Sequence, residues 1–147
     1  MHPGNLKSLS QKSKVRLIQL LDATGSPFDL TSGPNPKTYA ELSSPQGLEF
    51  IKTYAHGVGP NKKMIIFDDT LKATSFIPDA HRVGLKVHPW TFRNESPFLK
   101  TYPKLDPKSE IKLFLALGVD GFFTDFTDTG VKARAEFLES QSLTRPK

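Results

Sequence analysis

Short hydrophobic runs recur along the chain, and longer polar or amphipathic segments separate them. The runs cover residues 15–21, 55–60, 85–93 and 119–125. The first run is mostly apolar over its whole length and ends at Asp22. Such runs are typical of strands that are buried on both faces, as in a parallel sheet. We therefore predict four strands.

The segments between these runs carry helix signals. Ser44 and Asp106 each precede a proline, which is the pattern of an N-cap residue followed by the first helical position. Glycine follows two of the segments, at 84 and 118, where a helix C-cap is expected. The predicted helices cover residues 44–54, 70–82 (with a kink at Pro78), 106–117 and 129–138, after the end of an earlier helix over 5–9.

A strand followed by a helix, repeated four times, indicates parallel βα units. Four units are half of an eight-unit (β/α)8 barrel of the TIM type. An open, doubly wound sheet explains the same alternation equally well. Both architectures remain open at this point, and in both of them ligands bind at the carboxyl ends of the strands.

Composition excludes several classes of protein. The 147 residues suit one domain or half of a larger one, and eleven phenylalanines indicate a packed core. There is no cysteine, and therefore no disulfide or thiol nucleophile. No apolar run approaches the roughly 20 residues of a membrane span. The formal charge is +5, but the basic residues are dispersed, so we expect no nucleic-acid partner.

Arg93 is the candidate for binding an anion, because its planar guanidinium can bind two phosphate oxygens; a salt bridge to Glu95 explains it equally well. Trp90 can pack against the carbon skeleton of a ligand or fill a barrel interior, and for Phe92 the interior is favoured. His88 is interpreted as a core histidine. The strand-end rule also selects Gln19, Asp22, His56, Thr124, Asp125 and Asp128, the last of these read as the N-cap of the final helix.

Sequence motifs of known enzyme classes are missing. There is no Gly-rich dinucleotide or Walker-type loop, no Gly-x-Ser-x-Gly elbow and no His-Glu-x-x-His helix. No acidic cluster has the spacing of metal ligands. The chain therefore has residues suited to binding but no complete catalytic set.

Two stretches carry a specific resemblance. Residues 84–95 (GLKVHPWTFRNE) and 117–126 (LGVDGFFTDF) resemble the last two strands of glycerophosphodiester phosphodiesterases, in the periplasmic and plant-like branch. Residues 16–22 and 54–60 are similar to strands five and six of that family. The resemblance extends over roughly residues 5–140.

The resemblance implies an eight-stranded barrel that hydrolyses glycerophosphodiesters to an alcohol and glycerol 3-phosphate, usually with a divalent metal such as calcium or magnesium. It also implies that Gln19, Trp90, Phe92 and Arg93 line the substrate. The family's catalytic motifs are His-Arg-Gly after strand one, Glu-x-Asp on strand two, a second histidine soon after, and Glu-x-Lys on strand three. None of them occurs here. We therefore expect no catalytic residue and no metal site in this chain.

These expectations describe residues 1–147 as a partial domain, the carboxyl-terminal half-barrel with strands five to eight, ending in a frayed tail over 140–147. A half-barrel has two open edges, so we expect pairing with an amino-terminal half or a second copy. The first hypothesis is a fragment of the hydrolase. The alternative is a non-catalytic half-barrel that binds a phosphodiester or a partner half, and the third is an unrelated α/β phosphate-binding module.

Overall fold

A computed structural model describes residues 2–32, 35–67, 70–99, 102 and 105–144. Three parallel strands form one sheet in the order β1-β2-β3, namely β1 (Ile18–Leu21), β2 (Gly57–Pro60) and β3 (Lys86–Val87). Six α-helices accompany them in the described residues: α1 (Pro3–Lys12), α2 (Tyr39–Leu42), α3 (Pro45–Lys52), α4 (Phe76–Arg82), α5 (Pro107–Ala116) and α6 (Thr127–Thr144). None of these helices has the length and apolar character needed to cross a membrane.

The fourth predicted strand is present as an extended segment rather than a regular strand. Residues 119–125 run beside β3, where the Asp120 amide donates to the Val87 carbonyl (3.0 Å) and the Phe123 amide donates to the Pro89 carbonyl (2.9 Å). Phe92 and Thr124 form only an isolated parallel bridge. The ladder is interrupted because Pro89 has no N–H to donate.

The two faces of the sheet differ in burial. Leu21 and Val58 are completely buried on the face that helices cover. Ile18 and Leu20 point to the opposite face and are only half-buried. A doubly wound sheet has helices on both faces, so helices on one face favour the barrel type of architecture.

Gly57 is required where β1 and β2 lie side by side. A Cβ atom at this position would lie 2.7 Å from Ile18 Cδ1 and 2.6 Å from the Lys86 carbonyl oxygen. The oxygen belongs to the backbone and cannot move aside as a side chain can. Glycine therefore lets the Ile18 side chain lie across β2.

Helix caps that depend on local chemistry are confirmed. Ser44 accepts a hydrogen bond from the Gly47 amide (3.2 Å), and Asp106 accepts from the amides of Lys108 (3.0 Å) and Ser109 (3.1 Å). Gly84 and Gly118 adopt φ angles of 77° and 97° directly after α4 and α5. These left-handed conformations favour glycine.

Two predicted helices have different limits in the structure. Helix α4 begins at Phe76, so Pro78 lies in the first turn, where its missing N–H is not needed, and the predicted kink is wrong. Helix α6 begins at Thr127, so Asp128 lies inside its first turn and does not precede it. The same helix continues to Thr144, so residues 140–144 of the predicted frayed tail are helical in the structure, and residues 145–147 lie outside the described residues.

Candidate functional site

A cleft of about 360 Å³ lies at the carboxyl ends of β2 and β3. We call it the Arg93 cleft. Its walls come from the segment after β2, the segment after β3 and the 3-10 turn Ser96–Phe98. The lining residues are Asn61, Lys62, Lys63, Trp90, Thr91, Arg93, Pro97 and Phe98.

Trp90 is held in the wall of this cleft by β2. Its indole Nε1 donates to the Gly59 carbonyl (2.7 Å), and its backbone amide donates to the Pro60 carbonyl (3.0 Å). The side chain is half-buried, so part of the ring faces the cleft. Trp90 therefore both fastens β3 to β2 and offers an aromatic surface at the predicted end of the sheet.

Arg93 lies in the cleft but is already paired. Its Nε and Nη2 donate to the two carboxylate oxygens of Glu95 (3.1 and 2.9 Å), and Nη1 lies 3.2 Å from Asp125 Oδ2. The guanidinium also stacks on the Phe98 ring, 4.3 Å from its centre. Hydrogen bonding to Glu95 raises the pKa of Arg93. The salt bridge to Glu95 is thus present, and an anionic ligand has to compete with two carboxylates.

Gln19 and Phe92 lie in the core and do not line the cleft. Gln19 is on the helix-covered face of β1 with 0% exposure, where it accepts a hydrogen bond from the Tyr54 hydroxyl (3.1 Å). Its amide donates to the Leu20 carbonyl (2.9 Å). Phe92 is 1% exposed and packs edge-on against Phe114 of α5. Neither side chain therefore reaches the Arg93 cleft, and a substrate-lining role for these two residues stays a prediction.

Lys62 forms a buried ion pair that the sequence did not indicate. Its ammonium lies 2.5 Å from Glu110 Oε1, and the two residues are only 8% and 1% exposed. Burial raises the pKa of Glu110, although the bond to Lys62 opposes the shift. Sequence reasoning could not find this pair, because 48 residues separate its members and no local pattern links them.

The histidines selected from the sequence do not lie in the Arg93 cleft. His56 precedes β2 and therefore lies at the amino end of the sheet, where its Nδ1 accepts from the Leu17 amide (3.2 Å). His88 is half-buried and packs edge-on against Phe123, and burial lowers its pKa. Asp120 shares a cavity with both histidines. This cavity is separate from the cleft.

The described residues do not fit the divalent metal that the resemblance implies. Within residues 2–32, 35–67, 70–99, 102 and 105–144, no three His, Asp or Glu side chains come together to hold an ion. Glu95 and Asp125, the two carboxylates that contact Arg93 in the cleft, are both paired with its guanidinium. Among the described lining residues, the cleft therefore has donors for an anion and no oxygen-rich set for a cation.

A larger cavity of about 670 Å³ adjoins the Arg93 cleft at Asn61 and Lys63, which line both. We call it the Phe76 cavity. Only Asp22 of its lining was selected from the sequence. Its other lining residues are Ala23, Thr24, Ala40, Ser43, Met64, Phe67, Thr74, Ser75, Phe76 and Asp79.

Known proteins resemble this chain over most of its length. The model of the glycerophosphoryl diester phosphodiesterase family matches residues 1–129. A glycerophosphodiester phosphodiesterase of Arabidopsis thaliana, GDPD6, is 43% identical over 102 residues, which is 67% of this chain and 27% of that protein. A glycerophosphodiester phosphodiesterase of Haemophilus influenzae is 30% identical over 142 residues, which is 85% of this chain and 35% of that protein.

A solved structure from Agrobacterium tumefaciens that carries the same family name superposes with a TM-score of 0.52 at 16% identity, over 95% of this chain and 42% of the other. This likeness shows an α/β fold of the TIM-barrel type. The chain spans about a quarter to two fifths of the length of these three relatives. With the match over residues 1–129, the chain belongs to the glycerophosphoryl diester phosphodiesterase family.

Proposed function

We propose that this chain is the substrate-binding half of a phosphoric diester hydrolase, which converts a glycerophosphodiester and water to an alcohol and glycerol 3-phosphate. The observation that carries the proposal is the Arg93 cleft. It brings Arg93, Lys63 and Trp90 to the carboxyl ends of parallel strands, where barrel enzymes of this type bind their substrates. Cations there attract the phosphodiester, and the indole packs on its carbon skeleton.

The catalytic groups and the metal ligands come from outside this chain in our proposal. The four βα units correspond to strands five to eight of the barrel. Family membership and the half-buried face that carries Ile18 and Leu20 support this assignment. An amino-terminal half-barrel covers that face and brings the calcium or magnesium ion with its ligands.

A second candidate function is binding without catalysis. Glu95 and Asp125 neutralise Arg93. This pairing suits a residue that stabilises the local structure as well as one that binds a ligand. In this case the chain binds a phosphodiester or a partner half and turns nothing over.

The test is a phosphodiesterase assay on the purified chain with glycerophosphocholine and added calcium or magnesium. It is run with and without a separately expressed amino-terminal half of a related enzyme. We expect no turnover by the chain alone and metal-dependent turnover by the mixture. Turnover by the chain alone would overturn the assignment of catalytic groups to another half. Binding without turnover in the mixture would favour the second function.

A further inference from the structure

The segment that contains Asn61 and Lys63 separates the Arg93 cleft from the Phe76 cavity, and hydrogen bonds hold it in place. The Asn61 amide donates to the Leu21 carbonyl (2.8 Å), which anchors the segment to the end of β1. Asn61 Nδ2 donates to Asp22 Oδ1 (3.1 Å), and Asn61 Oδ1 accepts from the Lys63 amide (3.1 Å). The backbone of Lys63 is thus held in place by the side chain of Asn61.

The side chains of the neighbouring residues Lys62 and Lys63 point in opposite directions from the segment that forms this wall. Lys62 points into the core and is neutralised by Glu110. Lys63 is exposed and lines both cavities. In the part of the chain that the structure describes, no carboxylate pairs with Lys63, whereas Arg93 has two such partners. Its three N–H donors are therefore available to a ligand.

The linings of the two cavities differ in charge. The Arg93 cleft has Lys62, Lys63 and Arg93 in its walls. The Phe76 cavity shares Lys63 with the cleft, and its other charged lining residues are Asp22 and Asp79, of which Asp79 pairs with Arg82. Lys62 and Arg93 already pair with carboxylates, so Lys63 supplies the unpaired cation among the described lining residues. Asp22 and Asp79 repel a phosphate from the rest of the Phe76 cavity, so a diester that reaches both spaces places its phosphate at Lys63 on the side of the cleft.

We propose that Lys63 binds the phosphate of the diester at the boundary between the two cavities and directs its alcohol part into the Phe76 cavity. This inference rests on the proposed function, since it assumes that the Arg93 cleft receives a glycerophosphodiester. Lys63 acts as a binding and orienting residue. The larger volume of the Phe76 cavity, and its apolar surface at Met64, Phe67 and Phe76, suit an alcohol with a bulky carbon skeleton.

The experiment is an NMR titration of the full chain with glycerol 3-phosphate and, separately, with glycerophosphocholine. Glycerol 3-phosphate is expected to shift the signals of Lys63 and of the Trp90 indole. Glycerophosphocholine is expected to shift these signals and also those of Met64 and Phe76. Shifts by glycerophosphocholine that stay within the Arg93 cleft would overturn the proposed direction of the alcohol.

Variants separate the role of Lys63 from general charge. Loss of a charge-assisted hydrogen bond in Lys63→Met should raise the dissociation constant for glycerol 3-phosphate about tenfold, and Lys63→Arg should restore most of the affinity. Lys14→Met is the matched control, because this exposed lysine lines neither cavity. Unchanged affinity in Lys63→Met would refute the inference while leaving the proposed function intact. Absence of binding by the unaltered chain would instead refute the proposed function, and the inference with it.

Discussion

At the level of single residues, Lys62 and Glu110 are the two whose buried charges depend most on the surrounding fold. Both charges are removed from water, and within the described residues Glu110 Oε2 has no hydrogen-bond partner. The Lys62 ammonium also lies 5.3 Å from the centre of the Phe92 ring and 5.7 Å from that of Tyr102. The pair therefore ties the segment after β2 to α5 through the aromatic core beneath the Arg93 cleft.

Removal of one charged partner of this pair should lower the stability of the folded chain. Glu110→Gln leaves the buried ammonium of Lys62 without a counter-charge, and we expect the free energy of unfolding to fall by about 3 kcal/mol. Urea unfolding measures the change. Glu139→Gln is the control, since Glu139 is exposed on α6, and its effect should stay within about 0.5 kcal/mol.

The double variant Lys62→Met with Glu110→Leu tests the same explanation by removing both charges at once. Well-packed apolar residues in place of both charges should recover most of the lost stability. A loss in Glu110→Gln no larger than in Glu139→Gln would show that the buried pair does not stabilise this fold.

Among the helices, α5 depends most clearly on one local interaction. Asp106 accepts hydrogen bonds from the Lys108 and Ser109 amides and from the Ser109 hydroxyl (2.5 Å). These bonds satisfy amide groups that have no partner inside the helix. Helix α5 in turn supplies Glu110 to the buried ion pair and Phe114 to the core, so its start affects the base of the cleft.

The stabilisation by this cap should depend on pH. The hydrogen bonds with Ser109 lower the pKa of the Asp106 carboxyl in the folded chain, so the folded state binds the proton more weakly than the unfolded state. Asp106→Ala should cost about 1 kcal/mol above the unfolded pKa of about 4. The difference between the variant and the parent should shrink as the pH falls toward the lower folded value.

Urea unfolding of both proteins between acidic and neutral pH measures this dependence. Asp106→Asn provides the comparison, because asparagine caps helices without titrating. A stability difference between Asp106→Ala and the parent that stayed constant into strong acid would contradict a charged cap.

For the chain as a folded unit, the less buried face of the sheet, which carries Ile18 and Leu20, is expected to determine association in solution. Ile18 and Leu20 are half-buried there, and Phe123, which packs against His88 beside Ile18, is 43% exposed. One carbonyl of β1, that of Leu20, is satisfied from within the strand, since Gln19 Nε2 donates to it. An apolar face of this kind is stable in water when another surface covers it.

We expect the isolated chain to self-associate, and to form a complex with one copy of an amino-terminal half-barrel when that half is supplied. Size-exclusion chromatography with light scattering measures both. Leu20→Gln should weaken the self-association, while Leu143→Gln, at a position 86% exposed on α6, should leave it unchanged. A monodisperse, stable monomer of the unaltered chain would contradict the half-barrel interpretation.

Local chemistry was enough to predict strands β1 to β3, the helices α3 to α6, the caps at Ser44 and Asp106, and the glycines at 84 and 118. Each of these signals acts over about four residues. The atoms involved are close together in the sequence, so their contacts do not depend on the rest of the fold. The position of Arg93 and Trp90 at the carboxyl end of the sheet also followed, because parallel strands end at one edge.

Packing alone decided which side of the sheet each residue faces and which distant groups meet. Gln19 and Phe92 are at the predicted places in the sequence, but both turn into the core. The ion pair of Lys62 with Glu110 joins residues that are 48 positions apart in the sequence. Because this pair turns Lys62 into the core, it is Lys63 that stays exposed in the lining of both cavities. Such contacts form only when helices and strands dock, since their energy comes from burial and charge and not from local backbone preference.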